Sequence, residues 1–551
     1  MKPEQKCPRG VLAIVGLVAA LVGGLALLAT QLWLSTEARG YVVLAGGIAE
    51  RFDWTQELFL MRPPGYPLML AAIFRIFGED SPAAIHAVQH GMVAAISLVT
   101  TLIAWHLTTN RAVAIISGLL SACNLQLLGF ANMVMSEVPF TLLFLGSIYF
   151  IVKFGRYGLS RPLVLGSLLG GLSYLFRPMG LTLVAVCAAA ALHQCRRQRH
   201  KDGLPVRALG HLGGAIVPAL LVAGPWMLFL AKRGDGLGAS FGPTLFGRLV
   251  TLDRLDSQAS AAWLEMKNVV DDAKRTGRAP PEADPRQEGT VRDAYGAMRQ
   301  ASYAQACAKM ERVGLDLLWE HPGSVGANTL RYAAWTLLVP DSSYRYLPAG
   351  TPGIEIREGH CIRNAEADVF DCATYEPMMR PLIGPYQKYL PLRSEPRTLT
   401  PPWTAIVRAF HRCTDSGVAG RASMFSPYGI YMVLSVLGIV VALFSKQRAT
   451  WCLLVAAIGL QIIGSAALVG PVPRYAIPVQ PLLGIFVAVS LVVVAAALGA
   501  TGSLPARADA GGEAASAARR PKPATQGHIL RASEETGRAR RRRRRTAVHS
   551  W

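Results

Sequence analysis

Long apolar stretches recur along this 551-residue chain, and they constrain its fold more than any other feature. Residues 11–34, for example, read VLAIVGLVAALVGGLALLATQLWL and contain no charged side chain. A helix needs about 20 apolar residues to cross the roughly 30 Å hydrocarbon core of a bilayer. Only 17% of the residues are charged, whereas a soluble protein carries about 25%. The sequence therefore predicts an α-helical polytopic membrane protein.

We predict ten transmembrane helices from the stretches that approach this length. The first is interpreted as an uncleaved span, because it is too long for the apolar core of a signal peptide. The predicted spans are residues 11–34, 83–107, 112–130, 138–153, 162–176, 178–193, 209–231, 426–444, 451–469 and 476–500.

These spans divide the chain into four predicted parts. Residues 1–231 form an N-terminal membrane domain, and residues 232–425 form a mixed extracytoplasmic domain. Residues 426–500 supply the C-terminal transmembrane helices. Residues 501–551 are rich in Ala, Gly, Pro and charge, a composition that predicts a disordered basic tail.

Basic residues set the predicted orientation. The N-terminal arm and the connections 153–161, 194–207 and 445–448 are rich in lysine and arginine, whereas the opposite loops carry almost no net charge. Basic connections stay in the cytoplasm. Both termini are therefore predicted to be cytoplasmic and residues 232–425 extracytoplasmic. We interpret the chain as an integral protein of a bacterial plasma (inner) membrane.

The predicted outer domain holds an even number of cysteines, as expected where disulfides form. Their spacing matches no zinc-ligand pattern, and the sequence leaves their pairing open. They are Cys307, Cys361, Cys372 and Cys413.

The tail contributes much of the net charge of +21 and includes an unbroken run from Arg540 to Arg545. A basic cluster on the cytoplasmic side is attracted to anionic lipids of the inner leaflet. We therefore expect membrane lipids as its partner. No aromatic residues are interleaved with the arginines, so no nucleic-acid partner is expected.

Five polar features interrupt the apolar sequence, and the predicted topology places all five at the outer ends of spans. They are Glu37 with Tyr41 in TEARGY, Arg62 with Tyr66 in RPPGYP, Ser136 with Glu137 in MVMSEVPF, Arg177 in YLFRPMGL, and Arg474 with Tyr475 in PVPRYAIP. Singly, arginines at span ends reach headgroups and tyrosines join an aromatic belt. Together, carboxylates and arginines on one face predict a pocket for a phosphate-bearing substrate with a base nearby.

The stretch MRPPGYPLML stands out among these features. Proline lacks an N–H and fixes φ, so a regular helix or an inner strand is excluded at the Pro-Pro-Gly step. Arg62 and Tyr66 are therefore expected on a shaped turn that leads into an apolar helix.

These motifs resemble the GT-C superfamily of membrane glycosyltransferases, in particular the branch with protein O-mannosyltransferases and lipid A aminoarabinose transferases. The resemblance covers about residues 11–231 and 426–490. Its members carry an acid before a tyrosine in the first outer loop, a proline-rich turn, a Ser-Glu, an Arg-Pro-x-Gly and an Arg-Tyr-x-x-Pro. The first-loop acid is usually aspartate in that family. Glu37 stands in its place here, and Asp53 is kept as the alternative.

The resemblance implies an inverting enzyme that takes a sugar from a polyprenyl-phosphate donor. The acceptor would be an extracytoplasmic hydroxyl of a glycan, lipid or protein. A hydroxyl nucleophile needs a base, and a leaving phosphate needs cationic stabilisation. We assign Glu37 as the base and Glu137 as a positioning or metal-linked acid. The candidate substrate-binding residues are Tyr41, Arg62, Tyr66, Arg177, Arg474 and Tyr475.

Three questions stay open at the level of sequence. A divalent metal is undecided, because two glutamates without a third clustered ligand make a thin metal site. A polytopic transporter or lipid flippase is the first alternative, although such proteins tend to place charges near the membrane midplane. A non-catalytic scaffold with the family fold is the second alternative.

Overall fold

The computed structural model is helical and describes most of the chain up to residue 502. The described residues are 5–29, 36–54, 59, 62–78, 81–198, 204–232, 241–255, 260–286 without 278 and 280, 291, 303–338, 355–356, 362–363, and 427–502 without 446. The chain divides into two compact units, Met1–Leu498 and Gly499–Trp551. Almost all of the second unit, including the arginine run of the tail, lies outside the described residues.

The N-terminal part that the structure describes is helical, and a 3-10 turn, Pro178–Gly180, connects two of its helices. The helices are α1 (Arg9–Ala29), α2 (Thr36–Arg51), α3 (Gly65–Phe77), α4 (Pro82–Thr108), α5 (Arg111–Ala122), α6 (Leu125–Ala131), α7 (Glu137–Tyr157), α8 (Ser160–Phe176), α9 (Leu181–Gln198) and α10 (Leu204–Lys232).

The remaining helices belong to two parts of the chain: the outer segment, which is residues 232–425 and is named for its predicted position, and residues 427–502. A π-helix, Gly247–Leu252, continues the first of them, and a 3-10 helix, Pro473–Val479, precedes the last. Strands β1 (Glu355–Ile356) and β2 (Ile362–Arg363) pair in antiparallel fashion. The helices are α11 (Phe241–Phe246), α12 (Ala261–Arg275), α13 (Tyr303–Glu320), α14 (Pro322–Leu338), α15 (Pro427–Leu443), α16 (Arg448–Leu468) and α17 (Gln480–Gly502).

Seven described helices are long and apolar enough to cross a membrane, or eight if the bent pair α5–α6 counts as one span. These helices confirm the predicted class of helical polytopic membrane protein. Helices α8 and α15 have 17 residues each. That length gives about 25 Å of helix, less than a typical hydrocarbon core. The predicted total of ten spans therefore stays a prediction.

Local chemistry sets the boundary between α8 and α9. Arg177 follows the last residue of α8 in an extended conformation, with φ −152° and ψ 135°. The residue before a proline is disfavoured in the helical region, and Pro178 has no N–H to continue the hydrogen-bond ladder. The chain therefore turns at this step and holds the Arg177 backbone at the end of a helix.

Small residues allow the helices near this end to approach closely. On α8, a Cβ added to Gly171 would lie 2.6 Å from the backbone oxygen of Ala219 on α10. Close contact through glycine and alanine is the usual way in which membrane helices pack without a hydrophobic driving force. The glycine-rich sequence of α8 thus lets α10 pack directly against α8, the helix that Arg177 follows.

The outer segment has an apolar core of its own. Buried residues of α11, the π-helix, α12 and α13 form one cluster, including Phe246, Leu249, Trp263, Met266 and Met310. Cys307 is buried on α13, whereas Cys361, Cys372 and Cys413 lie outside the described residues. Their pairing and the limits of the four predicted parts therefore stay predictions.

Candidate functional site

The central contact of the candidate site joins the end of α8 to the start of α7. The Arg177 guanidinium forms an ion pair with Glu137, and its Nε donates to Ser136 Oγ at 3.0 Å. The Glu137 side chain is 1% exposed and that of Arg177 is 11% exposed. Ser136 precedes α7 without capping it through its side chain, so its hydroxyl is available to accept from Arg177.

Tyr41 on α2 lies on the other side of Ser136. Its hydroxyl is 3.5 Å from Ser136 Oγ, and its buried ring meets that of Tyr66 edge to face at 5.0 Å. The Arg62 guanidinium carbon lies 5.1 Å from the centre of the Tyr41 ring. Cations stack favourably on such rings. The first two sequence features are therefore in contact with each other and with the third.

The fifth feature closes the group from the C-terminal side. The ring of Tyr475 lies 5.2 Å from the guanidinium carbon of Arg177 and 5.7 Å from that of Arg474. Both Arg474 and Tyr475 are partly exposed. A continuous run of contacts thus extends from Arg62 through Tyr41, Ser136 and Arg177 to Arg474, across about 410 positions of sequence.

Gly65 explains why the proline-rich turn is built as it is. It begins α3 directly after Pro64. A Cβ on Gly65 would lie 2.6 Å from the Phe176 ring and 2.7 Å from the backbone oxygen of Leu175. Only glycine fits so close to another backbone. The start of α3 therefore packs on the last residues of α8, immediately before Arg177. Arg62 precedes the helix as expected, whereas Tyr66 lies in the first turn of α3 and not on the predicted turn before it. Pro67 is tolerated there because the first N–H groups of a helix have no intrahelical partner.

Replacing Gly65 with alanine is expected to reduce stability, because the new methyl group must displace backbone. Overpacking of this kind costs about 1–3 kcal/mol, so the unfolding midpoint in detergent should fall. Gly91 on α4 is the control, since its Cβ would meet nothing within 4 Å. Gly91→Ala should be neutral or slightly stabilising. Equal midpoints for the two variants would contradict close packing at Gly65.

Gln89 on α4 is a site residue that the sequence analysis missed. It accepts from the Tyr66 hydroxyl at 2.9 Å. Its Nε2 donates to the backbone oxygens of Ala131 and Met133 at 2.9 and 2.8 Å. Gln89 therefore connects the first turn of α3 to the segment that leads into Ser136. A glutamine within an apolar span was the only available signal.

A second buried group on α4 holds the same segment. The Nε2 atoms of His86 and His90 lie 2.7 and 2.9 Å from Asn132 Oδ1. The two Nε2 atoms are 3.1 Å apart. Side chains of α4 thus bond to Asn132 and to the backbone of its neighbours Ala131 and Met133. The segment before Glu137 is therefore held by side-chain hydrogen bonds rather than by regular secondary structure.

The phenol of Tyr66 stays protonated in this setting. Burial raises its pKa well above the ordinary value, and the neighbouring Tyr41 and Glu137 raise it further because a phenolate would be repelled. Tyr66 is therefore a hydrogen-bond donor at neutral pH, which matches its contact with Gln89.

Glu37 and Asp53 take different positions along α2. Glu37 is in the first turn, four residues before Tyr41, and its side chain lies outside the described residues. Asp53 follows the C-terminal end of the helix. The helix between them is about 20 Å long at 1.5 Å per residue. Of the two acids, Glu37 has its backbone at the end of α2 that carries Tyr41.

The described residues provide few ligands for a divalent metal ion. Glu137 already gives Oε1 to Arg177, and its buried Oε2 has no hydrogen-bond partner. Among the described residues, no group of three His, Cys, Asp or Glu could hold an ion. One carboxylate oxygen does not make a site for a hard cation that takes six or more oxygens.

This arrangement combines three chemical capacities. The partly exposed Arg62 and Arg474 stack on Tyr41 and Tyr475, which belong to the same run of contacts as the buried ion pair. Guanidinium groups bind phosphate oxygens through two parallel hydrogen bonds. The unpartnered oxygen of Glu137 can accept a hydrogen bond from a hydroxyl. Tyrosine rings supply apolar faces for a ligand.

No protein-family model and no curated protein matches the sequence. The chain is similar to several solved structures. The archaeal oligosaccharyltransferase AglB from Archaeoglobus fulgidus, in complex with an inhibitory peptide and a dolichol-phosphate, aligns over 92% of this chain and 52% of its own. The identity is 11% and the TM-score 0.43.

Two further structures show the same kind of similarity. ArnT from Cupriavidus metallidurans, bound to undecaprenyl phosphate, aligns over 90% of this chain and 81% of its own, at 12% identity and a TM-score of 0.36. The arabinosyltransferase EmbB from Mycobacterium smegmatis aligns over 92% and 43%, at 14% identity and a TM-score of 0.32.

The chain spans about half the length of the oligosaccharyltransferase. The neighbours are GT-C enzymes, the superfamily that the sequence motifs resemble. At identities of 11–14% and TM-scores of 0.32–0.43, the similarity by itself assigns neither an activity nor a ligand to this chain.

Proposed function

We propose that this protein is an integral membrane glycosyltransferase that moves a sugar from a polyprenyl-phosphate donor to an extracytoplasmic acceptor hydroxyl. One observation carries the proposal: the buried Arg177–Glu137 ion pair, which contacts Ser136 and stacks under Tyr475. A buried carboxylate with one unpartnered oxygen, placed among arginines, suits a reaction in which a hydroxyl loses a proton and a phosphate gains charge.

In the proposed reaction, the acceptor oxygen attacks the anomeric carbon while the bond to the donor phosphate breaks. Glu37 takes the hydroxyl proton, and the leaving polyprenyl phosphate takes the bonding electrons. Glu137 orients the acceptor through its unpartnered oxygen. A single direct displacement inverts the anomeric centre, because nucleophile and leaving group occupy opposite faces.

The arginines have separate proposed roles. Arg177 is engaged by Glu137 and Ser136, so it orients the carboxylate and adds positive potential. Arg62 and Arg474 are partly exposed and stack on tyrosine rings. They are the proposed ligands of the donor phosphate. In a partly dehydrated site, such contacts are worth more than they are in water.

The position of Glu37 supports it over Asp53 as the base. Glu37 lies one helical turn from Tyr41, which contacts Ser136 beside Glu137. Residues four apart on a helix share a face. Asp53 lies beyond the other end of α2, so its carboxylate would have to reach the acceptor along most of the helix.

The test offers purified protein in vesicles a panel of radiolabelled polyprenyl-phosphate sugars, with membrane extract as the source of acceptor. We expect transfer from one donor class, competed by free undecaprenyl phosphate. The competition distinguishes recognition of the lipid phosphate from recognition of the sugar alone.

Other outcomes would contradict the proposal in distinct ways. Movement of a lipid-linked sugar across the vesicle membrane without transfer would identify a transporter or flippase. Binding of undecaprenyl phosphate without transfer or movement, with every donor and acceptor fraction tested, would favour the scaffold.

A further inference from the structure

A buried ion pair lies in the outer segment, outside the candidate site. Arg248 in the π-helix pairs with Asp253, the residue that ends it, and both side chains are 0% exposed. The Tyr332 hydroxyl on α14 donates to Asp253 Oδ1 at 2.8 Å, and its ring centre lies 4.6 Å from the Arg248 guanidinium carbon. Burying two charges is a weak source of stability, so such a pair points to fixed geometry instead.

Arg248 also holds the end of α16. Its Nε donates to the backbone oxygen of Ala466 at 3.2 Å, and its Nη2 donates to Thr329 Oγ1 at 3.3 Å. Just beyond α16, Gly470 has a φ of +92°. A Cβ there would lie 2.6 Å from the Leu252 side chain and 3.3 Å from Arg248 Cδ. The residues that follow α16 therefore pack closely against the π-helix, and Gly470 has a backbone conformation that favours glycine.

From Gly470 the chain leads directly to the candidate site. The Val472 N–H donates to the Gly470 oxygen at 2.9 Å, and the Tyr475 N–H donates to the Val472 oxygen at 3.1 Å. Pro471 and Pro473 further restrict the backbone. Because this short segment has little conformational freedom, the position of Gly470 determines the positions of Arg474 and Tyr475.

We propose that Arg248 and Asp253 are positioning residues, which hold the turn at Gly470 so that Arg474 and Tyr475 face the donor phosphate. The inference rests on the proposed function, because it assumes that Arg474 binds that phosphate. The same contacts connect the outer segment to the proposed phosphate site, because Arg248 and its partners Thr329 and Tyr332 belong to that segment.

A double-mutant cycle with undecaprenyl phosphate as the probe tests the inference without a known sugar. The Kd is measured for the full-length wild-type protein, Arg248→Met, Arg474→Ala and the double variant. We expect Arg248→Met to raise the Kd about tenfold in the wild-type background and by less than about twofold in the Arg474→Ala background. Such non-additivity is expected only if Arg248 acts through Arg474.

Arg275 provides the control. It lies on α12 in the same segment, but its side chain is 77% exposed, and Arg275→Met should leave the Kd unchanged. If Arg248→Met does not fold, Thr329→Val replaces it in the cycle, because it removes one hydrogen bond to Arg248 and keeps the volume.

The two hypotheses fail differently. A wild-type protein that does not bind undecaprenyl phosphate would overturn the proposed function and this inference with it. A wild-type protein that binds, combined with an unchanged Kd for the Arg248 variant or with additive effects in the cycle, would overturn the inference alone.

Discussion

Replacing Glu37 with glutamine is expected to reduce sugar transfer by about 10²–10⁴-fold, the usual contribution of a general base. Glutamine keeps the size of the side chain and can still accept a hydrogen bond, but it cannot take the acceptor proton at neutral pH. Binding of undecaprenyl phosphate should therefore be unchanged. The measurement compares transfer rates at saturating donor with the Kd for free undecaprenyl phosphate.

Two other acids of the same region provide the controls. Glu50 lies near the opposite end of α2, and Glu50→Gln should keep full activity. Asp53→Asn tests the alternative base. A fully active Glu37→Gln protein together with an inactive Asp53→Asn protein would transfer the role to Asp53. Full activity of both variants would exclude both acids as the base.

The helix boundaries that matter for the site could be predicted from the sequence, because prolines determine them. Pro178 ends α8 and leaves Arg177 extended, and the Pro-Pro-Gly step ends at the start of α3. The number of spans could not be predicted in the same way. Hydropathy shows that a stretch prefers lipid, but α8 is 17 residues long and α5–α6 bends by 45°. Tertiary packing decides whether such helices cross a bilayer.

The bend between α5 and α6 has a local cause that hydropathy does not register. Asn124 accepts from the Leu127 N–H and so caps a new helix inside one apolar stretch. A side-chain cap competes with continuation of the preceding helix. The predicted span 112–130 is therefore a broken helix in the structure, although its limits nearly coincide with those of α5 and α6.

The five polar features of the site could be recognised because each interrupts an apolar stretch at a span end. Their supporting residues could not be. Gln89 bonds to the backbone of Ala131 and Met133, and Arg248 bonds to the backbone of Ala466. A backbone carbonyl has no sequence signature, and the last contact joins positions that are 218 residues apart. Such partners become visible only when the helices are placed.

The charged residues of the site and the residues that hold them in place differ in what their substitution is expected to change. The charges at the site can be altered by single substitutions whose effects appear in chemistry or binding. The supports at Gln89, Asn132 and Arg248 act through backbone position, so their loss should move several site residues together. Measurements that separate binding from turnover are therefore needed to distinguish the two kinds of residue.

Replacing Arg177 with methionine is expected to reduce both stability and transfer. The Glu137 side chain, 1% exposed, would lose its counter-charge, and breaking a buried pair from one side costs about 3–5 kcal/mol. Transfer should fall by about 10²–10³-fold, as it does when one stabilising donor is removed from an active site. The unfolding midpoint in detergent and the transfer rate are measured on the same preparations.

The double variant Arg177→Met/Glu137→Gln separates these two effects. Removing both charges leaves no unpaired buried ion, so the unfolding midpoint should recover most of its loss. Transfer should stay low, because neither the oriented carboxylate nor the positive potential is restored. Arg275 is the control for loss of a surface arginine: its side chain is 77% exposed in its pair with Asp272, and Arg275→Met should change neither quantity. If the double variant recovers transfer together with stability, the Arg177–Glu137 pair supports the fold and has no part in the reaction.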